Sequence, residues 1–177
     1  MLGIPKGTVN LVPYSAEWSS LFQLEKERII ANTSVPFVDI QHVGSTSIIG
    51  IPTKPVIDLV AAVGDFVEGY DFIRDAEAIG YYFKGSLGKS NRFFFWREID
   101  NKNTHNLHIV KYGDENWLNL TLFRDYCNQN LECREQYSKM KVELAQEHAN
   151  NRNLYTEKKS QFIREVIRLA KQETRGD

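Results

Sequence analysis

The sequence predicts an α+β fold, in which helices cover a mixed β-sheet and a C-terminal helical region packs on it. The first observation is a nearly continuous apolar run over residues 55–63, which is typical of a strand covered on both faces. The second is a change after Gly113, where apolar residues recur with the helical period among many charged ones. Strands followed by helices favour α+β over a regular alternation. We predict one domain over residues 1–177, with about 114–177 as a helical subregion.

The first third of the chain predicts a helix and two strands. Ser15 can cap a helix over residues 16–30, whose apolar side chains recur on one face. Strands are predicted over residues 35–43 and 55–63. The loop between them, residues 44–54, is rich in Gly, Ser, Thr and Pro. This loop therefore connects the two predicted strands.

The remaining segments predict three more strands and four helices. A helix over residues 66–79 should end at Gly80, because glycine is the usual residue after a helix C-terminus. The glycine-containing segment 85–91 joins two strands like a hairpin loop. The three strands span residues 81–84, 92–98 and 105–112, and the C-terminal helices span 117–129, 131–149 and 154–171.

The composition is ordinary for a globular protein and excludes several classes. The chain is 42% hydrophobic with a formal net charge of -1, so a binder of long nucleic acid is not favoured. The absence of a signal-peptide pattern and of a membrane-spanning run predicts a cytoplasmic protein without a membrane partner. Cys127 and Cys133 fall in a segment that reads as helical, where a disulfide within one helix is disfavoured. We interpret both as free thiols in a reducing compartment, and the oligomeric state stays open.

The most informative stretch is Val43-Gly44-Ser45, followed after the twelve residues 46–57 by Asp58 inside an apolar strand. A Gly-Ser turn can bring backbone N–H groups and a hydroxyl close to phosphate groups. An acid on the next strand can hold a divalent metal that bridges those phosphates. The pattern therefore suggests a site for a phosphorylated ligand.

The amino-acid sequence of this region and of three later segments resembles that of the GrpB-like family of the nucleotidyltransferase superfamily. The matching segments are residues 42–47, 50–52, 54–58, 105–108, 123–126 and 155–159 with Phe162. They occur in the same order over roughly residues 9–170. The resemblance implies a nucleotidyltransferase-like mixed sheet and, as partner, a nucleotide or small phosphorylated ligand. It does not imply a settled reaction.

Strand alternation identifies candidate residues for such a site. Asp58 and His108 face one cleft if their strands are neighbours, and they are the candidate catalytic residues. His105 belongs by parity to the other face, but at the start of its strand it could bend outward. Asp58, His105 and His108 are the candidate ligands of a magnesium or manganese ion. The candidate nucleotide-binding residues are Gly44, Ser45, Thr46, Lys54, Arg92 and Arg124.

A valine stands where the resemblance implies a second catalytic acid. Nucleotidyltransferases carry two acids separated by one residue, so that both lie on one face and share two metal ions. Here the second position is Val60, which cannot bind a metal. Because Val60 shares a face with Asp58, its replacement by Asp should strengthen metal binding at this site.

Two functional hypotheses follow. The first is an enzyme that transfers a nucleotidyl or phosphoryl group to a small acceptor, using Asp58, the histidines and a divalent metal. The second is a non-catalytic nucleotide-binding or accessory module that has lost the two-metal site, which Val60 favours. Each candidate also has a structural interpretation: a buried acid bonded to backbone N–H groups, a core histidine, or a helix arginine such as Arg124 paired with its neighbours.

Overall fold

The computed structural model describes residues 2–88 and 90–176, and in that part of the chain six strands and five α-helices form a mixed α+β fold. None of these helices has an apolar stretch long enough to cross a membrane. In chain order the elements are β1 (Ile4–Pro5), α1 (Glu17–Ala31), β2 (Asp39–Val43), β3 (Ile57–Val63), α2 (Gly69–Ala76), β4 (Tyr81–Phe83), β5 (Arg92–Ile99), β6 (Lys102–Lys111), α3 (Glu115–Gln129), α4 (Leu131–Glu147) and α5 (Arg152–Gly176).

The sheet places β3 and β6 side by side at its centre. The strand order is β2-β3-β6-β5-β4, and β1 pairs with the first residues of β6. The β3–β6 pair is parallel and the other pairs are antiparallel, so the sheet is mixed as predicted. In this register Asp58 lies opposite Asn106, and Val60 lies opposite His108.

One face of the sheet packs against α1 and α2. Alternate residues of β3 and β6 face this side, where burying apolar surface supplies the main stabilising term. The cluster joins Ile57, Leu59, Leu107 and Ile109 of the sheet to Trp18 and Ile29 of α1 and to Phe72 and Ala76 of α2. This helical layer therefore accounts for the apolar residues on one face of β3.

The apolar residues on the other face of β3 are covered by α3. Trp117 of α3 packs against Val60 and Ala62 of β3, with Val43 and Val110 on the flanking strands. Helices α4 and α5 pack on α3 through a further apolar cluster that includes Tyr137. The C-terminal helical region thus contacts the sheet.

Most predicted elements begin and end within a few residues of the observed bounds, but one strand is shorter than predicted and one helix is divided. The strand expected from Val35 begins at Asp39, because Pro36 has no N–H to donate and the N–H of Phe37 turns back to the carbonyl of Val35 at 2.9 Å. The helix expected over residues 66–79 is divided into α2 and two flanking 3-10 turns. It ends at Gly80 in the left-handed conformation, as predicted.

The two cysteines lie in consecutive helices and not in one. Asn130 is the first residue after α3 and the cap of α4, where its side chain accepts the N–H of Cys133 at 2.9 Å. The interpretation that one helix separates the thiols was therefore wrong, since the Sγ atoms of Cys127 and Cys133 are 3.4 Å apart. Both are free thiols, as expected.

A buried carboxylate ties the helical layer to the sheet. Glu25 of α1 is 4% exposed and accepts from Nη2 of Arg28 at 2.6 Å, from Oη of Tyr81 at 2.9 Å and from Nη1 of Arg97 at 3.0 Å. Nε2 of His105 lies 3.9 Å away. Burial opposes ionisation, but the hydrogen bond from Arg28 and the surrounding cations lower the pKa of Glu25 overall.

Replacing Glu25 by Gln should reduce the free energy of unfolding by about 3–5 kcal/mol, because two guanidinium groups lose their buried counter-charge. Urea unfolding at neutral pH measures the loss. Glu27→Gln is the matched control, since Glu27 is exposed and accepts a hydrogen bond from the side chain of Gln23, and it should change stability by less than about 0.5 kcal/mol. Equal stability of the two variants would contradict a structural role for the Glu25 network.

Candidate functional site

The turn after β2 rests directly on Asp58. Val43 pairs with Asp58 in the β2–β3 ladder, and Gly44 then leaves the strand with φ 70°, a left-handed value that favours glycine. A Cβ atom on Gly44 would lie 2.7 Å from Cβ and 2.8 Å from Cγ of Asp58. Only glycine lets the backbone come this close to the carboxylate-bearing strand.

Thr46 and His42 support this turn through hydrogen bonds and ring stacking. The hydroxyl of Thr46 donates to the carbonyl of Val56 at 3.2 Å and lies 2.9 Å from Nε2 of His42. The imidazole of His42 stacks on Phe22, with ring centroids 5.0 Å apart. Burial lowers the pKa of His42 to about 4, and the charge of Arg124 acts in the same direction. Thr46 is therefore a support of the turn, and it does not line the neighbouring cavity between the sheet and the C-terminal helices.

Beyond the turn lies a cavity of about 360 Å³ between the sheet and the C-terminal helices. Ser45 lines this cavity, and its hydroxyl lies 3.1 Å from Oη of Tyr137. The lining consists of the cations Arg92, Lys159 and Arg164, the acid Asp58, and the residues Gly44, Ser45, Asn116, Asn119, Leu120, Phe123, Tyr137, Ser160, Ile163 and Ile167. Three cations against a single acid among these described residues favour an anionic occupant.

Asp58 is held in place by an asparagine on the neighbouring strand. Nδ2 of Asn106 donates to Oδ1 of Asp58 at 2.7 Å. Nδ2 of Asn103 in turn donates to Oδ1 of Asn106 at 3.2 Å. The carboxylate is thus fixed between this amide and the backbone of Gly44.

His108 shares the face of Asp58, as strand parity predicted, but its ring is bound by Arg92. Nε of Arg92 donates to Nδ1 of His108 at 3.1 Å, and Nη2 lies 2.9 Å from the same atom. The ring also stacks on Phe94, with centroids 5.0 Å apart. Because Nδ1 accepts from a guanidinium, His108 acts as a neutral support that positions Arg92 at the cavity wall.

Two lysines that are partly or fully buried, Lys54 and Lys141, lie beneath the turn. Lys141 is fully buried, and its Nζ donates to the carbonyl of Pro52 at 2.6 Å. Burial lowers its pKa well below the ordinary value, and the charges of Lys159 and Lys54 act in the same direction. Burial likewise lowers the pKa of Lys54 to about 7, although Asp58 opposes the shift. Lys54 therefore lies within electrostatic reach of Asp58 but does not line the cavity.

The structure brings together only part of the predicted site. Gly44, Ser45, Asp58 and Arg92 line the cavity. Arg124 does not, because Nη1 donates to the carbonyl of His42 at 2.8 Å and Nε to the carboxylate of Asp125 at 2.7 Å. Because Asp125 and the carbonyl of His42 occupy its donors, Arg124 links α3 to β2 and has a structural role.

His105 lies on the opposite face of the sheet from Asp58. It stays in register with Leu107, with Nε2 near Glu25 and Nδ1 2.9 Å from the hydroxyl of Thr104. Burial lowers its pKa to about 4, although Glu25 opposes the shift. His105 keeps the face that strand parity gives it and does not bend outward, because the Glu25 network holds it. Within residues 2–88 and 90–176, no three His, Cys, Asp or Glu side chains are placed to hold a metal ion.

Val60 is a packing residue and not an empty position in the cleft. It is fully buried beneath Trp117 of α3. A carboxylate in its place would be buried among Val43, Ala62 and Val110, where an unpaired charge is costly. The expectation that Val60→Asp strengthens metal binding is therefore not supported by the geometry.

The residues that sequence reasoning missed come from the C-terminal helices. Tyr137, Lys159 and Arg164 line the cavity. One signal was available, because Ser160, Ile163 and Ile167 recur on one face of α5 with helical spacing. No comparable signal marked the fully buried Lys141.

Gly44→Ala should destabilise the protein by about 1–3 kcal/mol more than Gly50→Ala, because only the first adds a clash to an unfavourable φ. Gly50 is the matched control: its φ is 80° and nothing lies within 4 Å of an added Cβ. Thermal and urea unfolding of both variants give the comparison. Equal losses would mean that Asp58 moves away from the turn without cost.

Comparison with known proteins gives a consistent assignment. A family model described as GrpB protein matches residues 8–169. The glutamate-rich protein GrpB of Alkalihalophilus pseudofirmus is 37% identical over 172 residues, covering 94% of this chain and 98% of that protein. The YqkA protein of Bacillus subtilis is 31% identical over 172 residues, covering 97% of this chain but only 50% of YqkA. The crystal structure of the conserved protein GrpB from Enterococcus faecalis has a TM-score of 0.85 at 26% identity, covering 93% and 99% of the two chains. The chain belongs to the GrpB protein family.

Proposed function

We propose that the cavity beside the Gly44 turn binds a nucleotide or another small phosphorylated ligand. The observation that carries the proposal is the charge of the lining, where Arg92, Lys159 and Arg164 face a single acid, Asp58. In a chain of net charge -1, this local excess of cations is a specific arrangement and not a property of the whole surface. Phosphate oxygens can accept charge-assisted hydrogen bonds from all three cations.

The remaining lining suits the rest of a nucleotide. Leu120, Phe123 and Ile163 supply apolar surface, while Asn116 and Asn119 supply amide groups. Oδ1 of Asn119 is buried without a hydrogen-bond partner among the described residues. Small-molecule sites combine such apolar walls with a few polar groups that fix the orientation.

The residues present do not fit a resident divalent ion. Asp58 is one carboxylate, its Oδ1 already accepts from Asn106, and Val60 is packed under α3. Magnesium and calcium prefer several oxygen ligands, which this donor set does not supply. In our proposal magnesium or manganese enters only as the counter-ion that a polyphosphate ligand brings with it.

A second candidate function is transfer of a nucleotidyl or phosphoryl group to a small acceptor. It is favoured by the contact between Asp58 and Gly44, which sets a carboxylate beside the turn proposed to hold the phosphates. This is also the arrangement implied by the resemblance to nucleotidyltransferases. The proposed binding function does not depend on this reaction.

A thermal-shift titration with nucleoside triphosphates, with and without magnesium, tests the binding proposal. A ligand that binds only the folded state must raise the melting temperature. Lys159→Gln should weaken the apparent affinity by about tenfold, since one charge-assisted contact is lost. Lys158→Gln is the matched control, because Lys158 is exposed on the same helix and does not line the cavity. Equal shifts in both variants, or none in wild type, would count against the proposal.

Release of pyrophosphate or phosphate from a nucleoside triphosphate tests the transfer reaction. If Asp58 takes part, Asp58→Asn should lower the rate by at least about a hundredfold while the melting-temperature shift persists. The amide is close in size to the carboxylate, so its contacts with Gly44 and Asn106 can be kept. Binding without release in the wild type would leave the non-catalytic module as the function.

A further inference from the structure

A second cavity lies on the same face of the sheet, nearer its β4 edge. Its volume is about 290 Å³. Trp96 of β5 pairs with Asn106 of β6, and Asn106 pairs with Asp58 of β3, so the floor is continuous from one cavity to the other. The lining consists of Lys6, Lys84, Leu87, Phe94, Trp96, Asn103, Asn106 and Arg152. None of these residues lines the first cavity.

The charged lining of this second cavity is entirely positive. Lys6, Lys84 and Arg152 line it, and no acid is among the described lining residues. The ammonium groups of Lys6 and Lys84 lie 4.3 Å and 4.9 Å from the centroid of the Trp96 ring. None of the three cations forms a salt bridge in the ranges that the structure describes. Cations held together over one aromatic ring favour an anion that can pair with them.

Two residues that line the second cavity each bury a polar atom without a hydrogen-bond partner among residues 2–88 and 90–176. Trp96 is 8% exposed, and its indole Nε1 has no acceptor in those ranges. Asn103 is 2% exposed, and its Oδ1 has no donor in them. Unpaired buried polar atoms are costly and uncommon in native proteins, and two at one cavity indicate a ligand with both an acceptor and a donor.

We propose that the second cavity binds a small hydroxylated anion, such as a hydroxy acid or a phosphorylated alcohol. The anionic group pairs with Lys6, Lys84 and Arg152 and accepts from Nε1 of Trp96. The hydroxyl donates to Oδ1 of Asn103. This site does not rest on the proposed nucleotide binding, because the two cavities share no lining residue.

Indole N–H signals in the 1H–15N spectrum report on this site directly. The chain has three tryptophans, and Trp96→Phe assigns the signal of Trp96. The probes are glycerol 3-phosphate, malate, succinate and, at equal ionic strength, chloride. We expect the Trp96 signal to move saturably with glycerol 3-phosphate or malate, and the responding probe distinguishes a phosphate from a carboxylate ligand. Succinate, which lacks the hydroxyl, should bind at least about tenfold more weakly than malate.

Matched lysine variants locate the binding. Lys84→Gln should weaken the affinity by about tenfold, whereas Lys139→Gln, at an exposed position on α4, should leave it unchanged. Unchanged signals of Trp18 and Trp117 show that the variants are folded. No saturable shift with either hydroxylated anion, a shift that chloride reproduces, or equal affinities in the two variants would overturn the proposal. Failure of nucleotide binding would leave these outcomes untouched, because Lys159→Gln affects only the first cavity.

Discussion

The approach of the Gly44 backbone to Asp58 is the contact on which the candidate site depends. It fixes where the chain turns after β2, and thereby directs Ser45 towards the C-terminal helices. The same contact leaves one oxygen of Asp58 bonded to Asn106 and holds the carboxylate at the wall of the cavity. A side chain at position 44 would have to displace the acid, so the turn and the acid can only be understood together.

Charge is segregated between the two faces of the sheet. On the face covered by α1 and α2, Glu25 neutralises Arg28 and Arg97 within a hydrogen-bonded network. On the other face, Asp58 is the one acid among the described residues that line the cavity with Arg92 and Lys159. A chain of net charge -1 thus presents a locally positive cavity. Burying unneutralised cations costs free energy in the empty protein, which an anionic ligand would recover.

The C-terminal helices determine what the site can do. Trp117 of α3 covers Val60, which is the next residue after Asp58 on the same face of β3. This position therefore belongs to the core and not to a metal centre. Helix α4 supplies Tyr137, and α5 supplies Lys159 and Arg164 to the cavity wall. The family is established and the fold agrees with a GrpB crystal structure. Membership of the nucleotidyltransferase superfamily stays a prediction.

The sequence by itself determined the main helices and strands and the loop that carries the candidate site. Local patterns sufficed for this: the apolar run of β3, the helix stop at Gly80, and the Gly-Ser turn before Asp58. Parity correctly placed Asp58 and His108 on one face, because side chains alternate along any strand. Only the tertiary structure decided which partners these side chains meet. His108 meets Arg92 and His105 meets Glu25 because strand order and helix packing bring distant segments together, and no local pattern encodes such contacts.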